Sequence, residues 1–220
     1  MQFFLTATDT EVGKTHVAAG LVRAWRRAGT EAAAVKPMSA GSREDAEALL
    51  AAMDWGRDRM DAINPVHLSA PAAPLVAARM ENRTAPDLAA ATACVRRFLR
   101  EHDPLIVEGI GGWLVPIAPD VAVREWAQEL NLPVALVARG GLGTLNHTLL
   151  TVESIRAAGL RVLGVFVNHG APEPSGATDP EVRTRNAALL RELTGLPATE
   201  LFRQEQALVE VPLWLGGEER

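Results

Sequence analysis

Five short apolar runs recur along the chain, and none of them alternates apolar with polar residues. These runs are rich in Val, Ala, Leu and Phe, and they cover residues 2–6, 31–35, 105–107, 133–138 and 161–167. A continuous apolar run is typical of a strand that is buried on both faces, as strands are in a parallel sheet. The runs therefore predict a mostly parallel central sheet that must be covered on both sides.

Amphipathic segments separate the apolar runs and predict helices. In the segment 14–28, Val17, Leu21 and Ala24 lie on one stripe, and Gly29 follows as a C-terminal cap. Further helices are expected at 43–53, 87–101, 121–131, 145–158 and 180–194. This alternation indicates an α/β fold, a doubly wound, mostly parallel sheet with helices on both faces. No linker divides the chain, so one domain over residues 1–220 is expected.

Three stretches are predicted as loops. Residues 54–84 contain Pro65, Pro71 and Pro74, and residues 109–119 contain three glycines and two prolines. Long ordered loops in compact domains are often functional, so both stretches are expected to contribute to a site. Residues 171–179 are expected to form a mobile surface loop.

Composition excludes several classes of function. The chain carries 27 acidic and 22 basic residues, and the net charge of −5 argues against a nucleic-acid binder or an anionic-membrane binder. The single cysteine, Cys94, excludes an internal disulfide framework and a multi-cysteine zinc site, and a reducing cytoplasm is the simplest location. The N-terminal residues lack the pattern of a secretory signal, and the apolar runs are too short to span a bilayer.

Polar residues follow each of the five apolar runs. The carboxyl ends of parallel strands share one edge of a sheet, where ligands bind in doubly wound folds. We therefore expect these side chains to converge on a site. In chain order they are Thr8 and Asp9, Lys36, Glu108, Arg139 and Asn168.

The segment between the first strand and the first helix reads T-D-T-E-V-G-K-T over residues 8–15. Free N–H groups at a helix start attract phosphate oxygens, Lys14 would reach the β- and γ-phosphates, and the Thr15 hydroxyl would bind Mg²⁺. The common pattern G-x-x-x-x-G-K-[ST] is incomplete, because Thr8 occupies the first glycine position. The placement between a buried strand and an amphipathic helix nevertheless favours a nucleotide-binding loop over an ordinary turn.

This segment and several others resemble the dethiobiotin synthetase family. The similarity covers roughly residues 2–170, and its most specific elements are the phosphate loop and V-E-G-x-G-G-W. The matching elements are residues 8–15, Lys36-Pro37, the central-loop residues Asn64-Pro65, Ala70-Pro71 and Pro74, V-E-G-I-G-G-W at 107–113, L-P-V at 132–134, G-T-L-N-H at 143–147, and Val167-Asn168.

The resemblance implies an ATP-dependent enzyme of biotin synthesis with Mg²⁺ as its cofactor. Its substrates would be 7,8-diaminononanoate, CO₂ or bicarbonate, and ATP. A carbamate on the substrate amine would be phosphorylated to a carbamic–phosphoric anhydride, and the neighbouring amine would close the ring of dethiobiotin with release of ADP and phosphate. The resemblance also implies a homodimer, with the substrate site at an interface beside the helix that follows the fourth strand.

The resemblance further implies roles for individual residues. Lys36 and Lys14 would be catalytic, because fixed cations offset the repulsion between the carbamate and the γ-phosphate. The metal residues would be Thr15, Asp45 and Glu108. The ATP-binding residues would be Glu11, Val12, Gly13, Lys14, Thr15, His16, Asp45, Glu108, Gly109, Ile110, Gly111, Asn168, His169, Pro212, Leu213 and Trp214. The substrate-binding residues would be Thr10, Lys36, Ser39, Ala40, Gly112, Gly143, Thr144 and Asn146.

Three positions depart from the family pattern. Ala7 stands where the family usually has glycine, and Gly141 where a lysine is often found. Ala40 stands where the family usually has a substrate-contacting serine, although Ser39 and Ser42 flank it. One hydrogen bond to the substrate is therefore in question, but phosphoryl transfer is not.

Some of these residues also have simpler explanations. Asp45 opens a predicted helix, where an acidic side chain often only offsets the helix dipole. His16 and His147 lie on predicted helices, where packing or capping is the usual role. Cys94 lies on an apolar helix stripe and is expected in the core, and Trp113 could equally anchor its loop or pack over a substrate.

Three other classes of protein remain alternatives. A switch ATPase of the partition or division-site type shares the sheet, but Asp9 stands where that class has a signature lysine. A cobyrinate-type amidotransferase fragment would need a glutaminase with a nucleophilic cysteine. A non-catalytic nucleotide-binding module is disfavoured because Lys36 and Glu108 are both present.

Overall fold

The structure is a computed structural model that describes residues 1–171, 179–202 and 211–217. Its strands are β1 (Gln2–Ala7), β2 (Ala33–Val35), β3 (Met38–Ala40), β4 (Val66–Leu68), β5 (Leu105–Glu108), β6 (Pro116–Ala118), β7 (Val121–Ala122), β8 (Val134–Arg139), β9 (Val162–Asn168) and β10 (Ala198–Leu201). Its helices are α1 (Lys14–Arg27), α2 (Glu44–Ala52), α3 (Met60–Ile63), α4 (Pro74–Met80), α5 (Leu88–Glu101), α6 (Val123–Leu130), α7 (Thr144–Ala157) and α8 (Pro180–Thr194). None of the helices described is both long and apolar enough to cross a bilayer.

Six strands form one parallel sheet in the order β10-β9-β8-β1-β5-β2. From β1 in the middle, the chain first crosses to β2 at one edge and later passes from β5 to β8 on the other side of β1. The direction of winding therefore reverses beside β1. Ligands of doubly wound sheets bind at such a reversal, beyond the carboxyl ends of the strands.

The two faces of the sheet pack against different helices, as β8 shows. Leu136 packs in one apolar cluster with Val152 of α7 and Leu190 of α8. The next residue, Val137, belongs instead to the larger cluster, which includes Val17 of α1. Burial on both faces explains why the strands are continuous apolar runs, and the predicted doubly wound α/β fold is confirmed.

The five predicted strands and six predicted helices are all present. Their ends differ from the predicted ones by at most two residues; the run 31–35, for example, becomes β2 at Ala33–Val35. Helix ends are commonly uncertain by this amount, so the periodicity of the sequence located these elements correctly.

The prediction of one long loop over residues 54–84 is wrong. This stretch contains a 3-10 turn at Arg57–Arg59, then α3, β4 and α4. β4 pairs in parallel with β3 outside the main sheet, and α4 begins at Pro74, where the missing N–H group costs nothing. Elements this short leave no periodic signal. Residues 109–119 do form a loop as far as β6, and most of the predicted loop 171–179 lies outside the described residues.

Candidate active site

The phosphate loop joins β1 to α1 and is held by Asn168 at the end of β9. The Asn168 side chain donates from Nδ2 to the Val12 carbonyl (2.9 Å) and accepts at Oδ1 from the Gly170 N–H (3.0 Å). Gly13 has a φ of 99°, which is in the left-handed region, and a Cβ at this position would overlap the Asn168 amide. Both its backbone conformation and this close approach therefore require glycine at position 13.

The start of the phosphate loop is held by the side chain of Asp9. Its Oδ1 accepts from the Thr10 N–H at 2.8 Å, and its Oδ2 accepts from Nη2 of Arg139, the last residue of β8, at 3.2 Å. The Lys14 ammonium donates to the Asp9 carbonyl at 3.4 Å. Contacts to the ends of β8 and β9 thus hold the loop in place.

Four side chains form a connected polar cluster at the carboxyl ends of β2 and β5. Lys36 Nζ lies 2.6 Å from Glu108 Oε1 and 2.7 Å from Asp45 Oδ2. The Thr15 hydroxyl donates to the same Glu108 oxygen over 2.7 Å. Lys36 and Glu108 are almost fully buried, whereas the Asp45 side chain is 49% exposed. The fold therefore brings Lys36 after β2, Glu108 at the end of β5 and Asp45 in the first turn of α2 to Thr15 of the phosphate loop.

Burial and neighbouring charges shift the pKa values of Lys36, Asp45 and Lys14. Burial opposes the charged form of Lys36, but the Glu108 and Asp45 carboxylates more than offset it and raise the Lys36 pKa. Burial also opposes the charged form of Asp45, yet the Lys36 cation and the Thr15 hydroxyl hold the Asp45 pKa below its usual value. At Lys14, burial and the nearby Lys36 cation lower the pKa to about 8. Lys36 is thus a permanent cation, and Lys14 loses its proton in mildly alkaline solution.

The oxygen atoms of the cluster fit a magnesium ion. Glu108 Oε2 is buried and has no hydrogen-bond partner among the described residues, which leaves this oxygen for a cation. Thr15 and Asp45 offer two more oxygen ligands. No group of three or more His, Cys, Asp or Glu side chains in the described ranges could hold a metal ion. Mg²⁺ is commonly bound by one or two carboxylates together with substrate phosphates and water.

A cavity of about 660 Å³ opens onto this cluster. Its size is that of a small-molecule site. Part of its lining is apolar and comes from residues 71–74 and from Val115. The predicted site residues that line it are Thr10, Glu11, Gly13, Lys14, Thr15, Lys36, Ser39, Ala40, Asp45, Ile110 and Gly111.

Other predicted residues do not line this cavity. Gly112 lines a second cavity of about 370 Å³, together with Asp9 and Trp113. His16 is exposed on α1, while Val12, Glu108 and Gly109 are buried. The predicted substrate residues Gly143, Thr144 and Asn146 lie at the beginning of α7. Their contacts with a ligand stay predictions.

The C-terminal residues predicted to contact ATP pack on the sheet. The Trp214 indole donates to the Thr199 hydroxyl at 2.9 Å, and its ring centroid lies 4.9 Å from that of Phe166. Pro212 and Leu213 precede it, at the start of a 3-10 turn. His169 stacks on Phe202 with 4.5 Å between ring centroids, and its Nε2 lies 3.2 Å from Glu200 Oε2. Contact of these residues with a nucleotide also stays a prediction.

Sequence reasoning missed the part that Asn64 has in the site. Its side chain is fully buried and donates from Nδ2 to the Lys36 carbonyl at 2.6 Å. The motif Asn64-Pro65 was the available signal, but nothing in the sequence says that this amide meets Lys36. The apolar lining at 71–74 was also missed, although its prolines suggested a functional loop.

Comparison with known proteins identifies relatives of the chain. A family model described as an AAA domain matches residues 1–204. The ATP-dependent dethiobiotin synthetase BioD of Anaeromyxobacter dehalogenans strain 2CP-C is 44% identical over 195 residues, which are 87% of this chain and 84% of that protein. The protein of the same name from Endomicrobium trichonymphae is 36% identical over 215 residues, covering 96% and 97% of the two chains.

Solved structures share the fold at low sequence identity. The septum site-determining protein MinD of Pyrococcus horikoshii OT3, solved with Mg-ADP, gives a TM-score of 0.51 at 16% identity, over 94% of this chain and 86% of that one. The cell division ATPase MinD of Pyrococcus furiosus gives a TM-score of 0.50 at 15% identity, over 94% and 88%. At this identity the likeness shows a P-loop NTPase fold and nothing about activity.

Proposed function

Because this chain belongs to the family of ATP-dependent dethiobiotin synthetases, which are ATP-hydrolysing ligases of biotin synthesis, we propose that it converts 7,8-diaminononanoate to dethiobiotin. One substrate amine adds to CO₂ and loses a proton, which gives a carbamate. The carbamate oxygen takes the γ-phosphoryl group of ATP to form a carbamic–phosphoric anhydride and ADP. The second amine then attacks the carbonyl carbon, phosphate leaves, and the ureido ring closes.

The sequence has two lysines, Lys14 and Lys36, and both line the same cavity. This observation carries the proposal. A carbamate and a γ-phosphate are both anions and must approach each other for the transfer to occur. Two buried cations offset that repulsion and stabilise charge on the moving phosphoryl group. Lys36, with its raised pKa, contacts both groups as a fixed charge.

We also propose that Thr15, Asp45 and Glu108 hold Mg²⁺ with the nucleotide. The ion, when bound, neutralises charge on the β- and γ-phosphates. The unpartnered Glu108 oxygen and the donor set around it support this assignment.

The ligand contacts inferred from the family complete the proposal. Loop residues 11–16 and residues 108–111 bind the phosphates, while Asn168, His169 and residues 212–214 lie on the adenine side. Thr10, Ser39, Ala40 and Gly112 contact the substrate. The Asn168 amide has already given one N–H to the Val12 carbonyl, so its second N–H is the one that remains for a base.

The proposal includes a homodimer in which α7 lies at the interface. Leu142, just before α7, and Leu150 on it have side chains that are 72% and 58% exposed. An interface along α7 would cover both leucines. The start of α7, with Gly143, Thr144 and Asn146, would then meet the substrate of a second subunit. A cytoplasmic location, and the lack of nucleic-acid and membrane partners, stay predictions from composition.

The test is phosphate release from ATP, Mg²⁺ and bicarbonate, measured with and without 7,8-diaminononanoate and checked by mass spectrometry for dethiobiotin. We expect turnover that needs the diamine and that falls at least about 100-fold in Lys36→Ala. Arg57→Ala is the matched control, because it removes an exposed cation paired with Glu47 on the surface. Slow hydrolysis that ignores the diamine would refute the proposal and point to a switch ATPase.

A further inference from the structure

A single buried amide, that of Asn64, connects Lys36 to the helix that carries Asp45. We propose that Asn64 is a positioning residue that holds the Lys36 backbone and the start of α2 in a fixed relation. This inference rests on the proposed function, because it assigns Asn64 a task in phosphoryl transfer. It extends that function to a residue outside the cavity lining.

The first connection runs to the backbone of Lys36. Asn64 Nδ2 donates to the Lys36 carbonyl at 2.6 Å, and the Lys36 N–H donates to the Ile63 carbonyl at 3.1 Å. Both polar groups of the Lys36 backbone are thus satisfied by neighbouring residues at the end of α3. Asn64 is fully buried, so water cannot replace this contact if the amide is removed.

The second connection runs to α2 through Arg43. Arg43 Nε donates to Asn64 Oδ1 at 2.8 Å, and Nη2 donates to the Asn64 carbonyl at 2.6 Å. Arg43 is the N-cap residue of α2, and Asp45 lies in the first turn of that helix. The Lys36–Asp45 ion pair closes a ring of contacts that passes through Asn64.

The third connection reaches the cavity wall. The Ser39 hydroxyl donates to Asn64 Oδ1 at 3.0 Å, and Ser39 lines the cavity. The amide therefore gives one N–H to Lys36 and accepts two hydrogen bonds at its oxygen. Only a side chain that both donates and accepts can make this set, which neither Asp nor Ala can do.

The ring matters most when the ion pairs are broken. Asp45 and Glu108 also restrain the Lys36 ammonium through ion pairs. If Asp45 and Glu108 bind another group during catalysis, their ion pairs with Lys36 weaken. The Asn64 contacts involve the backbone and not the ammonium, so they persist. A catalytic group that is displaced by about 1 Å can lose about 100-fold in rate.

Two variants and one control separate positioning from stability. Asn64→Ala removes the side-chain hydrogen bonds of all three connections and leaves the backbone bond from Arg43 Nη2 to the residue-64 carbonyl. Arg43→Met removes only the α2 connection, and Arg43 lies near the surface, so this variant is the one expected to fold. Arg43 also pairs with Asp61 at 2.8 Å, and the Asp61 side chain is 89% exposed. Asp61→Asn removes that pair alone and is the matched control.

The readouts are the melting temperature, kcat and KM for ATP, and the ¹⁵Nζ spectrum of lysine-labelled protein. The chain has two lysines, so the spectrum holds two signals, and Lys36→Ala assigns them. We expect Arg43→Met and Asn64→Ala to lower kcat at least about 10-fold, to change the KM for ATP less than about 3-fold, and to shift or broaden the Lys36 signal. Asp61→Asn leaves every readout close to that of the parent protein.

The inference is overturned if Arg43→Met lowers the melting temperature but leaves kcat and the Lys36 signal unchanged. It is also overturned if kcat falls while the Lys36 signal does not move. If Asn64→Ala does not fold, Arg43→Met decides alone. The spectrum needs no substrate. A parent protein that makes no dethiobiotin would therefore refute the proposed function, and the spectrum would still test whether Asn64 positions Lys36.

Discussion

Arg139 and Asp9 connect the end of β8 to the phosphate loop through an ion pair of 3.2 Å. The Arg139 side chain is only 10% exposed, and its Nη2 also lies 3.5 Å from the Thr10 carbonyl. A mostly buried guanidinium can hold a loop that faces solvent, because its planar group makes several hydrogen bonds in a fixed geometry. The loop is thus ordered by the strand that leads on to α7.

Removal of the Arg139–Asp9 ion pair should lower kcat/KM for ATP. We expect Arg139→Met to lower kcat/KM for ATP about 10-fold, because the loop would have to be ordered when the nucleotide binds. Steady-state kinetics with varied ATP measure the effect. Arg185→Met is the control, since Arg185 pairs with Glu181 on the exposed face of α8. Equal kcat/KM values in Arg139→Met and the parent protein would contradict the expectation.

The two carboxylates that pair with Lys36 should differ in their effect on stability. We expect Glu108→Gln to lower the free energy of unfolding by about 3 kcal/mol, because buried Lys36 would lose a buried partner. Asp45→Asn should cost less than about 1 kcal/mol, since the Asp45 side chain is 49% exposed. Urea denaturation gives both values. Turnover should fall at least about 100-fold in each variant. If both variants lost the same free energy of unfolding, burial would not explain the difference expected between Glu108 and Asp45.

The low pKa of Lys14 predicts a pH dependence of nucleotide binding. Lys14 in the free protein has a pKa of about 8, so rising pH removes a cation from the phosphate loop. We expect the affinity for ATP to fall as the pH rises through this value, and ATP binding to take up protons there. Calorimetry across about two pH units on either side measures this. Lys14→Arg stays charged and should flatten the profile; an unchanged slope in that variant would assign the titration to another group.

Lys14 makes the free energy of unfolding rise with pH, whereas it makes the affinity for ATP fall. The Lys14 pKa in the folded protein is lower than its ordinary value of 10.5. Between these two values the unfolded chain binds more protons than the folded one. The contribution of Lys14 to the free energy of unfolding therefore rises with pH in that window. Denaturation of the parent protein and Lys14→Met at both ends of the window isolates this contribution.

Cys94 should be unreactive in the folded protein. Burial raises the pKa of its thiol to about 11, although Arg97 opposes the shift, and the thiol donates to the Ala62 carbonyl. At about pH 8 very little thiolate is available to attack iodoacetamide. We expect mass spectrometry to find slow labelling of the native protein and rapid labelling in urea. Fast labelling of the native protein would mean that α5 opens readily.

The main sheet could be predicted because each of its first five strands is a continuous apolar run. β10 (Ala198–Leu201) could not, because Thr199 and Glu200 interrupt any apolar run and its first three residues are only partly buried. β3 and β4 have three residues each, and three residues cannot show a period. The expectation of one domain over residues 1–220 stays a prediction.

The site was predictable where it depends on strand ends. Lys36 follows β2 and Glu108 ends the neighbouring β5, and the fold places them 2.6 Å apart. Asn64 was not predictable, because its contacts arise from the packing of α3 against the turn after β2. Hydrogen bonds between residues that are 28 positions apart leave no local pattern in a sequence.

The cavity and the cluster beside it hold two cations, Lys14 and Lys36, and the four carboxylates of Glu11, Glu44, Asp45 and Glu108. Acidic side chains therefore outnumber basic ones at this site, which exerts little net pull on a passing anion. A ligand that binds here breaks the ion pairs between Lys36 and its two carboxylates. It must therefore supply negative charge to Lys36 and positive charge to Asp45 and Glu108. We expect such a site to discriminate by charge balance, and to take ATP together with its divalent cation while giving inorganic phosphate little hold.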